Sequence, residues 1–522
     1  MSYTLTYATM FDPPESLHEQ YEQAMARQRQ RLGGLHALHI DGLDLPSQHL
    51  DLRRSPVDRR WELGEFSVAS PIDVTSAVSA ARAAWPAWRA TPVPERARLL
   101  RRVAEWMQER VFDIAAALTL EVGKNRMEAL GEAQETIDFF RLYADEFEAA
   151  DGLDRPLPDD PLRGFSSHNR SVMRPYGVWA VISPFNFPLA LAGGPVAAAL
   201  ITGNTVVLKT ASETPWAGRM LADCIRDAGL PPGVFNYLNG QGPDIGVALV
   251  NDPRVAGITF TGSHAVGMQI HRHFSGGHYP RPCIAEMGGK NACIVTAQAD
   301  LDRATLGIVR SAFGMSGQKC SALSRLYVDA RVADGLIGRL REAMRELRIG
   351  DPSLRNVWMG PVTTSKAYNN FARYIDQLSR QGAKIIAGGE VLREGNLAHG
   401  YFVQPTLAEA PPEHPLFAEE MFLPILMLSR VNNLTQALQL ANDSPLGLTA
   451  GCYGSASDIA QFHEHIEAGV TYANRPQGAT TGAWPGYQPF AGWKGSSTTG
   501  KAIASFYYLA QYLREQSRTV VD

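Results

Sequence analysis

Residues 283–325 read CIAEMGGKNACIVTAQADLDRATLGIVRSAFGMSGQKCSALSR, and this stretch decides the fold class that we expect. Its apolar run at 292–295 predicts a buried strand, and Leu301–Phe313 has the spacing of an amphipathic helix. Glu286 precedes two glycines, and Cys320 lies among small and cationic residues. Such surroundings favour a thiolate, and a carboxylate that the fold brings beside it can act as its base. We therefore expect Glu286 and Cys320 to form a catalytic centre.

The same alternation of strand and helix extends upstream of this stretch. Short apolar runs at 178–182, 205–208, 234–237 and 257–260 are separated by helix-like segments. Their spacing, roughly 20–30 residues, is typical of a parallel βαβ sheet, whose strands end where nucleotides bind. The sequence GQGPDIG at 240–246 nearly matches a dinucleotide fingerprint but has one residue too many before its last glycine. A plain glycine-rich turn between a strand and a helix fits it equally well.

The remaining segments complete an α/β pattern without an internal repeat. Helices are predicted at 17–31, within 73–145 and at 333–347, and strands at 326–328, 384–386, 425–431 and 470–473. A polar segment at 155–174 resembles an exposed hairpin, residues 478–486 form a glycine-rich loop, and residues 503–514 are amphipathic. A chain of 522 residues exceeds the size of one efficient core, so we expect two or three domains.

Composition excludes several classes of protein. A net charge of −4 without a long basic run gives no reason to expect a nucleic-acid partner. Five cysteines without a CxxC spacing indicate neither a disulfide framework nor a zinc site, and we expect no metal. A reducing cytoplasm suits a free nucleophilic thiol, and the first residues lack the pattern of a signal peptide. Residues 187–203 carry no charge, but prolines and glycines interrupt them, so we expect a buried helix rather than a membrane span.

Six motifs occur in order along the chain, and together they resemble the aldehyde dehydrogenase superfamily. The motifs are PFNFP (184–188), VLK (207–209), FTGS (260–263), EMGGK (286–290), GQKC (317–320) and EEMF (419–422). Any one of them is weak, whereas six at compatible spacings are specific. The sequences GQKCSA (317–322) and TGA (481–483) followed by QPF (488–490) are closer still to one branch. That branch is the L-glutamate γ-semialdehyde dehydrogenases, also called 1-pyrroline-5-carboxylate dehydrogenases.

The resemblance implies an architecture of three parts. A Rossmann-type parallel sheet domain that binds NAD(P) would comprise residues 1–154 and 176–288. An α/β catalytic domain would comprise residues 289–485. A small β element for oligomerisation, residues 155–175 and 486–522, would make the protein a homo-oligomer.

It also implies a reaction, the oxidation of L-glutamate γ-semialdehyde to L-glutamate in proline catabolism. Cys320 would attack the aldehyde, and its backbone N–H with the Asn186 side chain would stabilise the oxyanion. Glu286 would then activate water to hydrolyse the resulting thioester. Another small aldehyde, such as succinate semialdehyde, remains an alternative substrate, and a non-catalytic relative with this fold is an alternative of another class. A free cysteine can also be a small buried filler.

The resemblance further implies NAD as cofactor and a set of residues that contact it. The cofactor residues would be Ile182, Ser183, Lys209, Ser212, Gly242, Gly246, Phe260, Gly262, Ser263, Val266, Glu420 and Phe422. Lys209 and Ser212 would lie near the adenine ribose. Many NAD-specific relatives have a glutamate where this chain has Ser212, so NADP is physically compatible as well. Core packing explains Phe260 and Phe422 equally well, and Lys209 could be an ordinary lysine at a strand end.

The residues that would contact the substrate follow from the closer branch. They are Glu135, Phe187, Ser321, Gly482, Ala483 and Phe490. Backbone N–H groups of a glycine-rich loop suit the substrate carboxylate, and a carboxylate at 135 suits its ammonium. Glu135 fits a solvated helix charge equally well.

The chain departs from the family pattern in three places. Thr210 follows Lys209 where the family has proline, residues 422–424 read Phe-Leu-Pro instead of Phe-Gly-Pro, and residues 489–492 read Pro-Phe-Ala-Gly instead of Pro-Phe-Gly-Gly. These departures affect the cofactor loops and leave Cys320, Glu286 and Asn186 unchanged.

Overall fold

Two seven-stranded sheets carry most of the chain, and the short segment 287–290 joins them. The computed structural model describes residues 4–6, 9–10, 12–161, 163–476 and 484–522. Its helices are α1 (Glu15–Gln30), α2 (Pro71–Ala90), α3 (Val93–Glu109), α4 (Val111–Val122), α5 (Arg126–Ala149), α6 (Ala190–Ile201), α7 (Pro215–Asp227), α8 (Val247–Asn251), α9 (His264–Ser275), α10 (Leu301–Phe313), α11 (Ala333–Arg345), α12 (Ser365–Arg380), α13 (Leu434–Asn442) and α14 (Ala456–His465).

The strands are short and alternate with these helices. They are β1 (Gly34–His36), β2 (Leu38–Ile40), β3 (Leu43–Leu45), β4 (Leu50–Arg54), β5 (Glu62–Ser67), β6 (Asp154–Leu157), β7 (Ser167–Pro175), β8 (Val178–Ile182), β9 (Thr205–Lys209), β10 (Phe235–Leu238), β11 (Val255–Thr261), β12 (Cys283–Glu286), β13 (Asn291–Val295), β14 (Leu323–Asp329), β15 (Lys384–Ala387), β16 (Thr406–Glu409), β17 (Ile425–Val431), β18 (Leu446–Gly447), β19 (Thr449–Tyr453), β20 (Val470–Ala473), β21 (Trp493–Lys494) and β22 (Leu513–Val521).

The first large sheet has the strand order β12-β11-β8-β9-β10-β2-β3. Its five strands from β12 to β10 are parallel, and β2 and β3 extend it antiparallel. Val207 on β9 packs with α2 on one face, while Val206 and Leu208 pack with α6 on the other. Both faces are therefore buried, which explains why consecutive residues such as Val206, Val207 and Leu208 are apolar instead of alternating with polar ones.

The second large sheet has the order β15-β16-β17-β14-β13-β19-β20. Its neighbours are parallel except at the edge pair β15 and β16. Alternate residues of β13 face two different core clusters, since Ile294 packs on one side and Cys293 and Val295 on the other. This sheet confirms the second α/β region that the sequence predicts after Cys320.

Three smaller sheets lie outside this pair. β1, β5 and β4 form one, β18 and β21 form another, and β22, β7 and β6 form an antiparallel third. In the third, β22 pairs with β7 along its whole length, from Leu513 opposite Pro175 to Val521 opposite Ser167. The hairpin predicted at 155–174 therefore exists, and the C-terminal tail is its third strand.

The tail differs from the sequence expectation. Residues 503–514 are amphipathic, but the structure has a 3₁₀ turn at Leu509–Tyr512 and then the strand β22. Tyr508 and Tyr512 are fully buried and their rings contact edge to face, so their helical spacing reflects a turn that buries two aromatic rings. The uncharged segment 187–203 forms the buried helix α6 that leads into β9, as predicted. No helix among the described residues is long and apolar enough to span a membrane.

The packing at Gly257 on β11 yields a stability prediction. A Cβ at this position would lie 2.3 Å from the ring of Trp179, which is fully buried and donates from Nε1 to Thr259 Oγ1 at 3.0 Å. Because this hydrogen bond holds the Trp179 ring in place, the ring cannot move away from the new methyl group without cost. Gly257→Ala should therefore lower the free energy of unfolding by about 1–3 kcal/mol. Gly338→Ala on α11 is the control, because no atom lies within 4 Å of its new Cβ. Urea denaturation measures both, and equal stability of the two variants would contradict the packing.

Candidate active site

The carboxylate Glu286 lies where the first sheet ends. It is the last residue of β12, opposite Thr261 at the carboxyl end of β11, and β13 of the second sheet begins at Asn291. A backbone bridge joins Glu286 to Ser497, and the Ser497 hydroxyl donates to Glu286 Oε1 at 3.2 Å. Glu286 therefore lies at the junction of the two sheets.

Cys320 is held at the same junction by a side chain that the sequence analysis missed. Asn291, the first residue of β13, donates from Nδ2 to the carbonyls of Cys320 at 2.7 Å and Ala322 at 2.8 Å. Its Oδ1 accepts from the Thr449 N–H at 2.9 Å. All the hydrogen-bonding capacity of this amide thus clamps the cysteine loop to β19. The signal was a polar residue at the start of an otherwise apolar strand.

The turn before Cys320 has an unusual backbone. Met315 and Ser316 both have positive φ, +52° and +55°, a conformation that costs energy for residues other than glycine. Both are buried, and the Ser316 hydroxyl donates to the Gly360 carbonyl at 2.8 Å. The surrounding contacts impose this turn, and it presents the Cys320 side chain at a half-buried position.

Asn186 reaches the cysteine loop from the first sheet. It follows β8, is buried, and donates from Nδ2 to the Gln318 carbonyl at 2.9 Å. Gln318 is itself fixed, because its Oε1 accepts from the Thr363 N–H at 3.0 Å. An amide nitrogen carries two N–H groups, so Asn186 keeps a second donor. The structure therefore brings Asn186, Glu286 and Cys320 to one place, as the sequence predicts.

Burial controls the ionisation of both reactive groups. Desolvation raises the pKa of the Glu286 carboxyl to about 8, and the hydrogen bond from Ser497 opposes that rise. Desolvation also raises the pKa of the Cys320 thiol to about 12, and the nearby Glu420 and Glu286 carboxylates add to the effect. The backbone N–H groups of Cys320 and Ser321 act in the opposite direction on the thiol. These N–H groups offer hydrogen bonds to negative charge that develops at this point.

The predicted cofactor residues lie along the carboxyl ends of the parallel strands. Ile182 on β8 is directly opposite Lys209 on β9 and Phe260 on β11. Ser183 follows β8, and its N–H donates to the Lys209 carbonyl at 3.1 Å. Three residues predicted from the sequence therefore form one row at the carboxyl ends of β8, β9 and β11. Phe260 also packs in the core below, so both of its expected roles remain compatible with this position.

The glycine-rich segment and the next helix flank this row. Gly242 and Gly246 bound a single π-type turn between β10 and α8, and a Cβ on Gly246 would lie 3.7 Å from the Lys209 side chain. Gly262 and Ser263 precede α9, whose first turn has no side-chain cap, and Val266 in that turn is exposed. Uncapped N–H groups at a helix start attract phosphate.

Unused polar groups in this row fit a dinucleotide. Ser183 Oγ is buried and has no hydrogen-bond partner among the described residues. The Lys209 ammonium donates to the neighbouring Thr210 carbonyl at 2.7 Å, which leaves it two further N–H donors. Burial lowers the pKa of Lys209 to about 8. A buried hydroxyl, a buried amine and a free helix N-terminus form a set suited to ribose and phosphate oxygens.

Ser212 lies beside two groups that bear on the choice of nucleotide. Its hydroxyl donates toward Glu213 Oε2 at 3.2 Å and Gln241 Oε1 at 3.3 Å. Glu213 is exposed, so a carboxylate does remain close to this position although residue 212 is a serine. Like-charge repulsion from Glu213 would disfavour a ribose that carries a 2′-phosphate.

Glu420 and Phe422 approach the same edge from the second sheet. Glu420 Oε1 accepts from the Gly289 N–H at 2.9 Å, and a Cβ on Gly288 would lie 2.0 Å from Glu420 Oε2. Gly288 is therefore required for this contact. Phe422 has φ +56°, and its ring meets the edge of Phe185 at a centroid distance of 5.8 Å.

Of the predicted substrate residues, the structure describes four. Ser321 is buried, and its carbonyl accepts from Thr449 Oγ1 at 3.3 Å, while Phe187 and Phe490 are half-buried. Glu135 is buried within α5. Gly482 and Ala483 lie outside the residues that the structure describes.

A buried ion pair behind Phe187 was not predicted. The Lys124 ammonium is fully buried, donates to Glu132 Oε2, and lies 3.3 Å from the centroid of the Phe187 ring. Glu132 Oε1 accepts from the N–H groups of Leu189 at 2.9 Å and Ala190 at 3.1 Å, which begin α6. The pair therefore fixes the loop that carries Asn186. Sequence alone offers little signal for it, since charged residues such as Glu132 are common along α5.

A second pair lies on the other side of the cysteine. Lys319 and Glu128 are both buried, with Lys319 Nζ 3.5 Å from Glu128 Oε1, and both line a cavity that Arg310 also borders. The pair therefore places a cation and a carboxylate beside the loop that carries Cys320. Across the described ranges, no group of three or more His, Cys, Asp or Glu side chains is arranged to hold a metal ion.

The family model described as the aldehyde dehydrogenase family matches residues 52–517. The chain belongs to the aldehyde dehydrogenase family. A curated family relative named 1-pyrroline-5-carboxylate dehydrogenase, from Geobacillus sp. (strain WCH70), is 35% identical over 97% of this chain and 97% of its own length. A similarly named protein of Anoxybacillus flavithermus is also 35% identical over 97% of both chains.

Solved structures of aldehyde dehydrogenase relatives superpose closely on this chain. A 1-pyrroline-5-carboxylate dehydrogenase from Thermus, solved with bound NAD, has a TM-score of 0.92 at 32% identity and covers 100% of this chain and 99% of that one. Proline utilization A from Bdellovibrio bacteriovorus, inactivated by N-propargylglycine, has a TM-score of 0.90 at 36% identity over 96% of this chain. The match covers 51% of that chain, so the present sequence spans about half its length.

The ion pair behind Phe187 yields a prediction for this member of the aldehyde dehydrogenase family. Lys124→Met leaves the Glu132 carboxylate buried without its cation, which should lower the free energy of unfolding by about 3–5 kcal/mol. The double variant Lys124→Met, Glu132→Gln removes the unpaired charge and should recover part of that loss. Urea denaturation of the parent, both single variants and the double variant gives the coupling energy. Additive losses would contradict the pair.

Proposed function

We propose that this chain oxidises L-glutamate γ-semialdehyde, which forms from 1-pyrroline-5-carboxylate, to L-glutamate in proline catabolism, with NAD as hydride acceptor. The observation that carries the chemistry is the convergence of Cys320, Glu286 and Asn186 at the junction of the two sheets. The choice of substrate is supported by the names of relatives that match nearly the full chain at 35% identity.

The first step would be attack of the Cys320 sulfur on the aldehyde carbon. Because the pKa of the thiol is raised to about 12, its proton must be removed as the carbon–sulfur bond forms, and Glu286 is the nearby carboxylate that can accept it. The oxyanion of the thiohemiacetal would accept from the Cys320 backbone N–H and from the second N–H of Asn186. Asn186 keeps that donor free because its other N–H is held by Gln318.

The cofactor would lie along the row of strand ends. NAD, when bound, accepts the hydride whose departure converts the thiohemiacetal into a thioester. Ile182, Ser183, Gly262 and Ser263 would contact its phosphates and ribose together with Lys209. The remaining proposed contacts are Ser212, Gly242, Gly246, Phe260, Val266, Glu420 and Phe422. Glu213 beside Ser212 favours NAD over NADP on electrostatic grounds.

Hydrolysis of the thioester would complete the cycle. Glu286, once it has released to solvent the proton taken from Cys320, takes a proton from water as the water oxygen attacks the thioester carbonyl. The carbon–sulfur bond breaks, L-glutamate is released, and the Cys320 thiolate regains a proton. A base with a pKa of about 8 is partly protonated at neutral pH, so its active fraction grows as the pH rises toward and above 8. This step therefore becomes faster with increasing pH in that range.

Substrate recognition would use the groups on either side of Cys320. Phe187 and Phe490 would flank the aliphatic part of the substrate, and Ser321 with the loop residues Gly482 and Ala483 would bind its carboxylate. Glu135 was the predicted partner of the ammonium. Glu128 on the same helix pairs with Lys319 and lines a cavity, so it is a second carboxylate of α5 to compare with Glu135 for this contact.

The same proposal extends to organisation and location. Residues 1–154 and 176–288 would form the NAD(P)-binding domain and residues 289–485 the catalytic domain. Residues 155–175 and 486–522, which contain the sheet of β6, β7 and β22, would contact a second copy in a cytoplasmic homo-oligomer. The exposed apolar side chains of Val520 and Val521 at the end of β22 support an interface there.

The proposed substrate is tested by the reduction of NAD and NADP with three aldehydes. We expect turnover with equilibrated 1-pyrroline-5-carboxylate to exceed turnover with succinate semialdehyde and propanal by at least tenfold in kcat/KM, with NAD preferred. Cys320→Ala should abolish turnover while tryptophan fluorescence shows unchanged NAD affinity. A preference for succinate semialdehyde would contradict the substrate alone, and the absence of turnover with every aldehyde would contradict the dehydrogenase.

A further inference from the structure

The two carboxylate oxygens of Glu286 have different surroundings. Oε1 accepts from the Ser497 hydroxyl at 3.2 Å. Oε2 is buried and has no hydrogen-bond partner among the described residues. The side chain is therefore held by one oxygen, and the other is a buried acceptor without a hydrogen-bond partner among the described residues.

The Ser497 hydroxyl has a fixed direction of donation. Its Oγ lies 3.3 Å from the N–H groups of both Thr499 and Gly500, which donate to it. A hydroxyl has one hydrogen and two lone pairs, so two donors leave the hydrogen for the remaining neighbour, which is Glu286. A hydrogen bond that is always donated to the carboxylate stabilises its ionised form.

The segment that carries Ser497 is anchored along β12. Ser496 donates from Oγ to the Gly288 carbonyl at 2.8 Å, and its own carbonyl accepts from the Met287 N–H at 2.8 Å. Thr498 donates from Oγ1 to the Cys283 carbonyl at 2.8 Å. Ser497 lies between these two anchors, so its distance from Glu286 is set by the backbone.

Within the described part of the chain, three other titratable groups lie close enough to Glu286 to affect it. They are the Cys320 thiol across the junction and the buried phenols of Tyr508 and Tyr512 from the C-terminal region. Burial raises the pKa of each of them, so all three are neutral when Glu286 titrates. The Tyr512 hydroxyl is occupied, since it donates to Tyr508 at 2.9 Å. Ser497 is thus the neighbour that distinguishes the ionised from the protonated carboxyl.

We propose that Ser497 is a positioning residue for the hydrolytic step, and that it holds Glu286 by Oε1 as an ionised base with Oε2 directed at water. This inference rests on the proposed role of Glu286 in hydrolysis. In that step the proton of water passes to Oε2, the water oxygen attacks the thioester carbonyl, and the sulfur of Cys320 leaves. Without the Ser497 hydroxyl, burial acts on Glu286 unopposed, and the carboxylate becomes ionised only at higher pH.

The test isolates hydrolysis from hydride transfer by the use of p-nitrophenyl acetate as the probe. Cys320 attacks this ester, p-nitrophenolate leaves in an initial burst, and the acetyl thioester is then hydrolysed in the steady state without NAD. We expect Ser497→Ala to keep the burst amplitude. The pH at which the steady-state rate reaches half its maximum should rise by about one unit. At pH values well below that midpoint, hydrolysis should therefore be roughly tenfold slower than in the parent.

Two variants control for structural damage. Ser497→Thr retains the hydroxyl and should keep the parent profile. Thr499→Ala removes a hydroxyl from the same loop without touching the Glu286 carboxylate, and it should also keep the parent profile. A parent-like profile in Ser497→Ala would overturn the inference, as would a loss of burst and steady-state rate together without a shift in pH.

The probe also separates this inference from the choice of substrate. A parent enzyme that hydrolyses the ester but does not oxidise 1-pyrroline-5-carboxylate would contradict the proposed substrate. The pH profiles of the parent and of Ser497→Ala would still test the role of Ser497. A parent enzyme that shows no burst would overturn the chemistry of Cys320 and, with it, the role of Ser497.

Discussion

The site depends on a short covalent connection between two sheets. β12 of the first sheet ends at Glu286, and β13 of the second begins at Asn291, so residues 287–290 must cross from one to the other. Within the crossing, Gly288 leaves space for the Glu420 carboxylate, which accepts from the Gly289 N–H. The carboxylate of Glu286 lies at the start of this crossing, and Asn291, whose side chain holds the Cys320 loop, lies at its end. The connection therefore fixes the positions of Glu286, Cys320 and the row of strand ends relative to one another.

Burial gives this junction its chemical character. Desolvation raises the pKa of Glu286 and of Cys320, and the same burial makes the Lys124–Glu132 pair depend on its internal partners. In such surroundings each hydrogen bond to a charged group has a large effect, because water does not compete for it. This is the physical basis of the proposed effect of the Ser497 hydroxyl on the ionisation of Glu286, and it explains how a buried ion pair can hold the loop of Asn186.

The sequence predicted those parts of the fold that depend on local pattern. The strand Val178–Ile182 and the helix Leu301–Phe313 have the predicted bounds, because apolar runs and helical periodicity are local signals. The tail was not predicted as a nine-residue strand, since its pairing with β7 depends on residues more than 300 positions away. The same limit applies within the site. Ordered motifs indicated Cys320, Glu286 and Asn186, whereas Asn291, Lys124 and Ser497 act through contacts that no local pattern encodes.

The central claim is that Cys320 carries the acyl group and Glu286 removes it. The most direct measurement is peptide mapping by mass spectrometry of the Glu286→Gln variant, quenched in acid after mixing with 1-pyrroline-5-carboxylate and NAD. Because loss of this carboxylate should slow hydrolysis more than it slows attack by Cys320 and hydride transfer, we predict a glutamyl thioester on the peptide that contains Cys320. An unmodified Cys320 peptide with NADH formed in a burst, or an adduct on Cys224, Cys283, Cys293 or Cys452, would contradict the account.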